Sequence, residues 1–189
     1  MTKRITISTL DAMKASGDKF VMITAYDATF ARLASEAGAE TILVGDSLGM
    51  VLQGHETTIP VSLDAMVYHT ECVARAKPRS LIVADLPFMS FSNSDDALHA
   101  STQLMQAGAQ MVKLEGGTWL SDSINRLVER GVPVCAHLGL TPQSVNVFGG
   151  YRVQGRTPKE AKSILADAVE IQDAGASLLV LECIPAELA

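Results

Sequence analysis

Ionisable side chains stand at the ends of several apolar segments of this sequence, where apolar residues would be expected to continue. The ionisable residues are Asp46, Asp85, Lys113, Glu115, His137 and Glu182, and the hydroxyl residue Ser47 directly follows Asp46. Burying one carboxylate among apolar residues is costly, and burying four without compensation would be prohibitive. A hard divalent cation is the obvious compensation, and carboxylate oxygens without nearby thiolates favour Mg²⁺ over softer metals. The sequence therefore predicts a combined metal and substrate site at these positions.

Several of these residues also have a simpler interpretation. A single Asp at a strand end is more often a helix cap than a ligand, so Asp46 alone would carry little weight. Side chains alternate along a strand, which puts Lys113 and Glu115 on one face, where they could simply pair. His137 alone would be a satisfied histidine at the end of a strand. From the same alternation we expect Cys135 and Cys183 to point away from their imidazole and acidic neighbours.

Six short apolar segments must position these residues. The segments are 20–24, 41–44, 80–84, 110–114, 132–136 and 177–181. They are almost continuously apolar, as strands buried on both faces are, and helical patterns separate them. Four glycines, Gly38, Gly108, Gly131 and Gly175, precede strands where a helix must stop in the left-handed conformation that glycine adopts at little cost. Strand and helix alternate, so the sequence predicts a parallel sheet.

The number of strands bears on the fold class. A closed (β/α)₈ TIM barrel needs eight strands and about 250 residues, whereas this chain of 189 residues offers six. We therefore predict a single (β/α)-barrel domain over residues 1–189 that covers about six of the eight units and is truncated at its C-terminus. An open six-stranded sheet is the competing interpretation.

Two long connections and one extra helix complete the layout. Residues 47–61 and 138–158 follow the carboxyl ends of strands, where ligands bind in parallel α/β proteins. A helical stretch at 8–17 precedes the first strand and has only a short apolar stripe, Leu10 and Met13. We expect this helix to close the opposite end of the barrel, away from the acids.

Composition excludes other classes of function. The net charge is −6 and only 15 Lys and Arg are scattered along the chain, which argues against nucleic-acid binding. No apolar run approaches the roughly 20 residues that span a bilayer, and the first residues lack the apolar stretch of a signal peptide. Three distant cysteines are typical of reduced thiols in a cytoplasmic protein. Phosphate-binding glycine motifs and a nucleophilic serine elbow are absent.

Several longer motifs, in order along the chain, resemble those of the ketopantoate hydroxymethyltransferase family. They are Ile23-Thr24-Ala25-Tyr26-Asp27, Val44-Gly45-Asp46-Ser47-Leu48-Gly49-Met50, Ala84-Asp85-Leu86-Pro87-Phe88-Met89, Val112-Lys113-Leu114-Glu115-Gly116-Gly117, His137-Leu138-Gly139-Leu140-Thr141-Pro142-Gln143-Ser144 and Leu181-Glu182-Cys183. The resemblance runs from about Phe20 to the last residue. It implies a barrel of the phosphoenolpyruvate mutase/isocitrate lyase type.

The resemblance also implies a reaction. Members of the family move a hydroxymethyl group from 5,10-methylenetetrahydrofolate to 2-oxoisovalerate (3-methyl-2-oxobutanoate), in pantothenate and hence coenzyme A biosynthesis, and form homo-oligomers, often decamers. By resemblance Asp46 and Asp85 bind Mg²⁺ with Glu115 nearby through water, Ser47 and Lys113 hold the keto acid, and Glu182 is the general base. His137 is a candidate hydrogen-bond donor to substrate or product. We expect the apolar strand before Glu182 to desolvate its carboxylate and raise its pKa.

Two alternatives stay open. A carbon–carbon lyase or phosphonate enzyme of the related barrels would use the same site, but it would need a Lys-Lys-Cys-Gly-type loop or a basic phosphonate cluster, and the sequence has neither. A non-catalytic or inactive barrel fragment is the second alternative, because two of the eight units are missing from the predicted barrel.

Overall fold

The chain folds into a curled, wholly parallel six-stranded sheet with helices on its outer face. A computed structural model describes residues 4–189, so the first three residues of the amino-terminal stretch lie outside the described residues. The strands are β1 (Met22–Thr24), β2 (Thr41–Val44), β3 (Leu81–Asp85), β4 (Met111–Glu115), β5 (Val134–Gly139) and β6 (Leu178–Glu182). They lie side by side in the order of the sequence. This is the arrangement of a partial (β/α)-barrel.

Eight α-helices accompany the strands in the described range. They are α1 (Ile7–Ser16), α2 (Ala28–Glu36), α3 (Leu48–Val51), α4 (Leu63–Arg75), α5 (Ser94–Ala107), α6 (Ser121–Glu129), α7 (Val145–Phe148) and α8 (Pro158–Asp173). All four glycines expected to end helices have positive φ, between 83° and 113°. Within residues 4–189 no helix combines the length and the apolar character needed to cross a membrane.

The strands run further at their carboxyl ends than the sequence predicts. β3, β4 and β6 each include the acidic residue that was placed just beyond the strand, and β5 continues through His137 to Gly139. The ladder continues because neighbouring strands still offer partners: the backbone N–H of Leu86 donates to the carbonyl of Lys113 at 2.9 Å. Asp85, Lys113, Glu115, His137 and Glu182 thus lie on regular strand backbone, which fixes the directions of their side chains, whereas Asp46 and Ser47 follow the end of β2. β1 is shorter than predicted and begins at Met22 rather than Phe20.

Two apolar clusters hold the sheet. The larger cluster lies between the sheet and the outer helices, and includes Ile42, Val112 and Leu127. The smaller cluster lies on the other face of the sheet, where Leu10 of α1 packs with Leu81 and Met111, the first residues of β3 and β4. The prediction that this helix closes the amino-terminal end of the barrel, remote from the acids, is therefore confirmed.

The two long connections contain short helices. α3 lies in the first, while α7 and a 3₁₀ turn at Pro142–Ser144 lie in the second. Both connections return toward the carboxyl ends of the strands: Gln143, from the second connection, donates a hydrogen bond to Asp46, which follows β2. The connections therefore help to build the site rather than merely linking strands.

Candidate active site

All seven predicted site residues line one cavity of about 400 Å³ at the carboxyl ends of the strands. The residues are Asp46, Ser47, Asp85, Lys113, Glu115, His137 and Glu182, and the cavity wall also includes Met50, Thr58 and Tyr151. Asp46 and Asp85 thus face the same space, as a shared cation would require. The topology explains the convergence, because parallel neighbouring strands end at the same edge of the sheet.

Lys113 is the buried cation at the centre of the cluster. Its Nζ lies 2.5 Å from Oδ1 of Asp85 and 3.9 Å from Oε1 of Glu115. Burial alone would favour the neutral amine, but the charges of Asp85 and Glu115 outweigh it and raise the pKa of Lys113 above its usual value. The side chain therefore stays charged and offsets part of the carboxylate charge.

Asp46 and Asp85 form a second contact across neighbouring strand ends. The backbone N–H of Asp46 donates to Oδ2 of Asp85 at 3.1 Å. Burial, followed by the negative charges of Asp85 and Glu115, raises the pKa of Asp46 to about 7. Burial also raises the pKa of Asp85, although Lys113 opposes that shift. The negative charge of Asp46 and Asp85 is therefore not fully balanced by the positive groups of the protein around them.

His137 lies between two carboxylates. Its Nδ1 is 3.3 Å from Oε1 of Glu115, and its Nε2 is 3.3 Å from Oε2 of Glu182. Neither contact has the alignment of a good hydrogen bond, so both are better described as charge pairings. Burial disfavours the imidazolium, but contacts with Glu115 and Glu182 outweigh it and raise the pKa of His137. His137 therefore lies between Glu182 and Glu115 and contacts both carboxylates.

Two further residues, which the sequence analysis did not assign to the site, belong to it. Gln143 donates from its side-chain amide to Oδ2 of Asp46 at 2.9 Å, and from its backbone to Oε2 of Glu115 at 3.0 Å. The hydroxyl of Tyr26 lies 2.9 Å from that of Ser47. Both residues occur in motifs quoted for the family resemblance, but nothing in their spacing connects them with the acids.

Two expectations about the site are wrong. The side chain of Glu182 is 40% exposed in the described chain, so the desolvation expected from its apolar strand is not present. Cys135 faces the interior of the curled sheet with Val83 and Met111, on the same face as His137. The alternation of strand side chains requires this, since Cys135 and His137 are two residues apart. Cys183 is exposed.

The donor set fits a largely hydrated Mg²⁺. Among residues 4–189, no three Asp, Glu, His or Cys side chains stand at the mutual spacing of a complete metal site. Mg²⁺ does not require one, because it usually binds through one or two carboxylates and keeps several waters. Asp46 and Asp85 supply hard oxygen donors beside an excess of negative charge, and Oδ1 of Asp85 makes an ion pair but no aligned hydrogen bond.

The fold and this site define a class of protein. The structure is similar to that of 2,3-dimethylmalate lyase, a member of the PEP mutase/isocitrate lyase superfamily, with a TM-score of 0.65, 19% identity and coverage of 93% of this chain and 62% of that protein. It is also similar to a phosphonopyruvate hydrolase solved with oxalate and Mg²⁺, with a TM-score of 0.71, 16% identity and coverage of 93% and 62%. The chain therefore shares the parallel (β/α)-barrel fold of these proteins, of which it forms a part.

Sequence comparison narrows the class to one family. The family described as ketopantoate hydroxymethyltransferase matches residues 4–189. A 3-methyl-2-oxobutanoate hydroxymethyltransferase of Marinobacter nauticus is 60% identical over 185 residues, which are 98% of this chain and 70% of the relative. The enzyme of the same name from Saccharophagus degradans is 55% identical over 188 residues, 100% of this chain and 70% of the relative. The chain belongs to the ketopantoate hydroxymethyltransferase family, and the family's members are named as enzymes.

Proposed function

We propose that this chain catalyses the Mg²⁺-dependent transfer of a hydroxymethyl group from 5,10-methylenetetrahydrofolate to 2-oxoisovalerate, giving ketopantoate. The observation that carries the proposal is the convergence of all seven predicted residues on one cavity. Membership of the family and the names of the relatives support the same reaction. The chain spans about 70% of those relatives, so the activity of the whole protein is part of the proposal.

The difficult step is removal of the proton from the carbon next to the ketone. When bound, Mg²⁺ would supply positive charge for the keto oxygen as the enolate forms. Asp46 and Asp85 would hold the metal, with Glu115 beside it through water. Oδ2 of Asp85 accepts from the backbone of Asp46, so the relative position of these two ligands is fixed before any ligand enters.

The keto acid carboxylate needs a cation and a hydroxyl donor. Lys113 is charged and buried, which makes it a suitable partner for the substrate carboxylate. Ser47 is the proposed hydroxyl donor, and the hydroxyl of Tyr26, at 2.9 Å, orients it. The binding groups thus lie on the same cavity wall as the carboxylates.

Glu182 is the proposed general base. Its Oε2 faces His137 at 3.3 Å, and its carboxylate is open to the cavity. The base can therefore reach a substrate carbon, while His137 keeps one of its oxygens in place. A positioned general base contributes roughly 10²–10⁴-fold to rate. His137 is also a candidate donor to the substrate or product.

The remaining parts of the proposal concern the whole protein. We propose that residues 1–189 form one domain that supplies about six of eight βα units, and that the protein is a cytoplasmic homo-oligomer serving pantothenate biosynthesis. Light scattering of the purified protein tests the oligomeric state, and a monomeric mass would contradict that part.

Hydrogen–deuterium exchange at C3 of 2-oxoisovalerate tests the chemistry without folate. In D₂O with Mg²⁺, NMR should show exchange faster than in buffer alone. Glu182→Gln keeps the shape and removes the base, so it should reduce exchange by roughly 10²–10⁴-fold while keto acid binding persists. Exchange at the parental rate in this variant would exclude Glu182 as the base, and no exchange in the parental protein would argue for the non-catalytic alternative.

A further inference from the structure

We propose that Gln143 is a positioning residue that determines which carboxylate oxygens of Asp46 and Glu115 are free to face the metal. The inference rests on the proposed Mg²⁺ site and adds a residue that lies outside the predicted ligand set. Gln143 belongs to the 3₁₀ turn after β5, whereas Asp46 follows β2, 97 positions away in the sequence. One residue of the second long connection thus reaches across the mouth of the sheet.

The side-chain amide of Gln143 uses both of its N–H donors. Nε2 lies 2.9 Å from Oδ2 of Asp46 and 2.9 Å from the backbone carbonyl oxygen of Leu86. Rotating the amide by 180° would bring Oε1 against these two acceptors, so only one orientation is compatible with the site. The amide is therefore a double donor in a fixed direction.

The backbone of the same residue holds a second carboxylate. Its N–H donates to Oε2 of Glu115 at 3.0 Å. Gln143 thereby occupies Oδ2 of Asp46 and Oε2 of Glu115, and leaves Oδ1 and Oε1 for other partners. Oε1 of Glu115 faces Lys113 and His137, on the side of the cavity where the other charged groups lie.

A neutral double donor is what this position requires. Gln143 is only 6% exposed, and Asp46 and Glu115 are 3% and 5% exposed, so bulk solvent does not surround the hydrogen bonds that Gln143 makes. A glutamate would place a further negative charge against two acceptors, and a lysine would neutralise the carboxylate that attracts the metal. The amide fixes the carboxylate without removing its charge, which is how hydrogen-bonding partners behind metal ligands usually act.

Metal binding to Gln143→Met measures this role directly. Methionine preserves the volume and removes both donors. We expect the variant to bind Mn²⁺ roughly 10–100-fold more weakly, the range typical for loss of a hydrogen-bonding partner behind a metal ligand. Electron paramagnetic resonance of the free Mn²⁺ measures this affinity. Mn²⁺ is the probe because it prefers the same oxygen ligands as Mg²⁺.

A matched control separates positioning from general packing. Gln110 is a half-buried glutamine immediately before β4, and its side-chain oxygen accepts from the backbone N–H of Ile82 at 3.2 Å. Gln110→Met should leave Mn²⁺ affinity unchanged, even if it lowers the melting temperature. Gln143→Asn keeps the amide but is one methylene too short to reach both acceptors, so it should also weaken Mn²⁺ binding.

The outcomes distinguish this inference from the proposed function. If the parental protein binds no Mn²⁺, the metal site itself is wrong and the inference falls with it. If the parental protein binds Mn²⁺ and a folded Gln143→Met variant binds it equally well, Gln143 is only structural and the inference alone is wrong. Should Gln143→Met fail to fold, unchanged affinity in Gln143→Asn overturns the inference by the same reasoning.

Discussion

Replacing Lys113 by methionine should destabilise the protein strongly, and more at high pH than at low pH. Methionine keeps the apolar stem and removes the ammonium, which is buried and lies 2.5 Å from Oδ1 of Asp85. The variant would leave Asp85 buried beside Asp46 and Glu115 with no neighbouring lysine charge. Breaking a buried ion pair from one side typically costs about 3–5 kcal/mol.

The expected cost is large relative to the whole stability of the protein. Single domains are stable by about 5–15 kcal/mol, so the variant would lose a substantial part of its free energy of unfolding. Urea unfolding followed by circular dichroism, with chelator present, is a suitable assay. With a slope of roughly 2 kcal/mol per molar urea, the midpoint should fall by about 2 M.

The dependence on pH identifies the cause. Burial already raises the pKa of Asp85, and Lys113 opposes that shift. Without Lys113 the folded-state pKa rises further above the unfolded value of about 3.9. The native state then binds a proton that the unfolded state has released, so stability is retained near pH 4 and lost as pH rises through the folded-state pKa.

The double variant Lys113→Met/Asp85→Asn is the control, because it removes both partners and should recover much of the loss at neutral pH. A Lys113→Met variant that is equally destabilised at pH 5 and pH 8, or a double variant with no recovery, would refute the electrostatic explanation.

Two other predictions concern residues around the site. Burial raises the pKa of Cys135 to about 12, whereas Cys183 is exposed. At pH 8 a thiol reagent should therefore label Cys183 quickly and Cys135 only after unfolding, which peptide mass spectrometry would detect. Rapid labelling of Cys135 in the native protein would contradict its buried position. Gly139→Ala should lower stability by about 3–4 kcal/mol, because φ is +86° and an added Cβ would meet the carbonyl oxygen of Glu182 at 2.2 Å. Gly149→Ala, also with positive φ but with open space around it, should cost only about 1–2 kcal/mol, and equal melting temperatures for the two variants would show that the close approach is absent.

The strand order and the acidic site could be predicted because their signals are local. An apolar run that ends in Asp85 or Glu115 indicates where the strand ends, and it also identifies the charged side chain at that end. The direction of Cys135 also follows from the alternation of side chains, because Cys135 and His137 are two residues apart on one strand and must share a face, so the expectation that they point apart is wrong. The membership of Lys113 in the cluster follows from the same rule.

Other parts of the site depend on contacts that no local pattern encodes. Gln143 approaches Asp46 only because the connection after β5 folds back over the ends of β2 and β4. Tyr26 reaches Ser47 from the end of the first strand in the same way. The exposure of Glu182 depends on what covers the last strand in space, and an apolar sequence before it says nothing about that cover.

The electrostatics of the cavity connect stability with function. Asp46, Asp85, Glu115 and Glu182 face only two basic groups, Lys113 and His137, within the cavity wall. The pKa of Asp46 is raised to about 7 because burial and the acidic neighbours of Asp46 favour its neutral form. Keeping Asp46 ionised in the cavity is therefore unfavourable. A fold selected for stability alone would replace such carboxylates with apolar residues of similar size. Asp46, Asp85 and Glu115 lie at or just after strand ends and accept hydrogen bonds from Gln143 and from a backbone N–H group. Their presence is accounted for if a divalent cation balances their negative charge. On this argument, added Mg²⁺ should stabilise the protein as well as allow catalysis, since a ligand that binds only the folded state shifts the unfolding equilibrium.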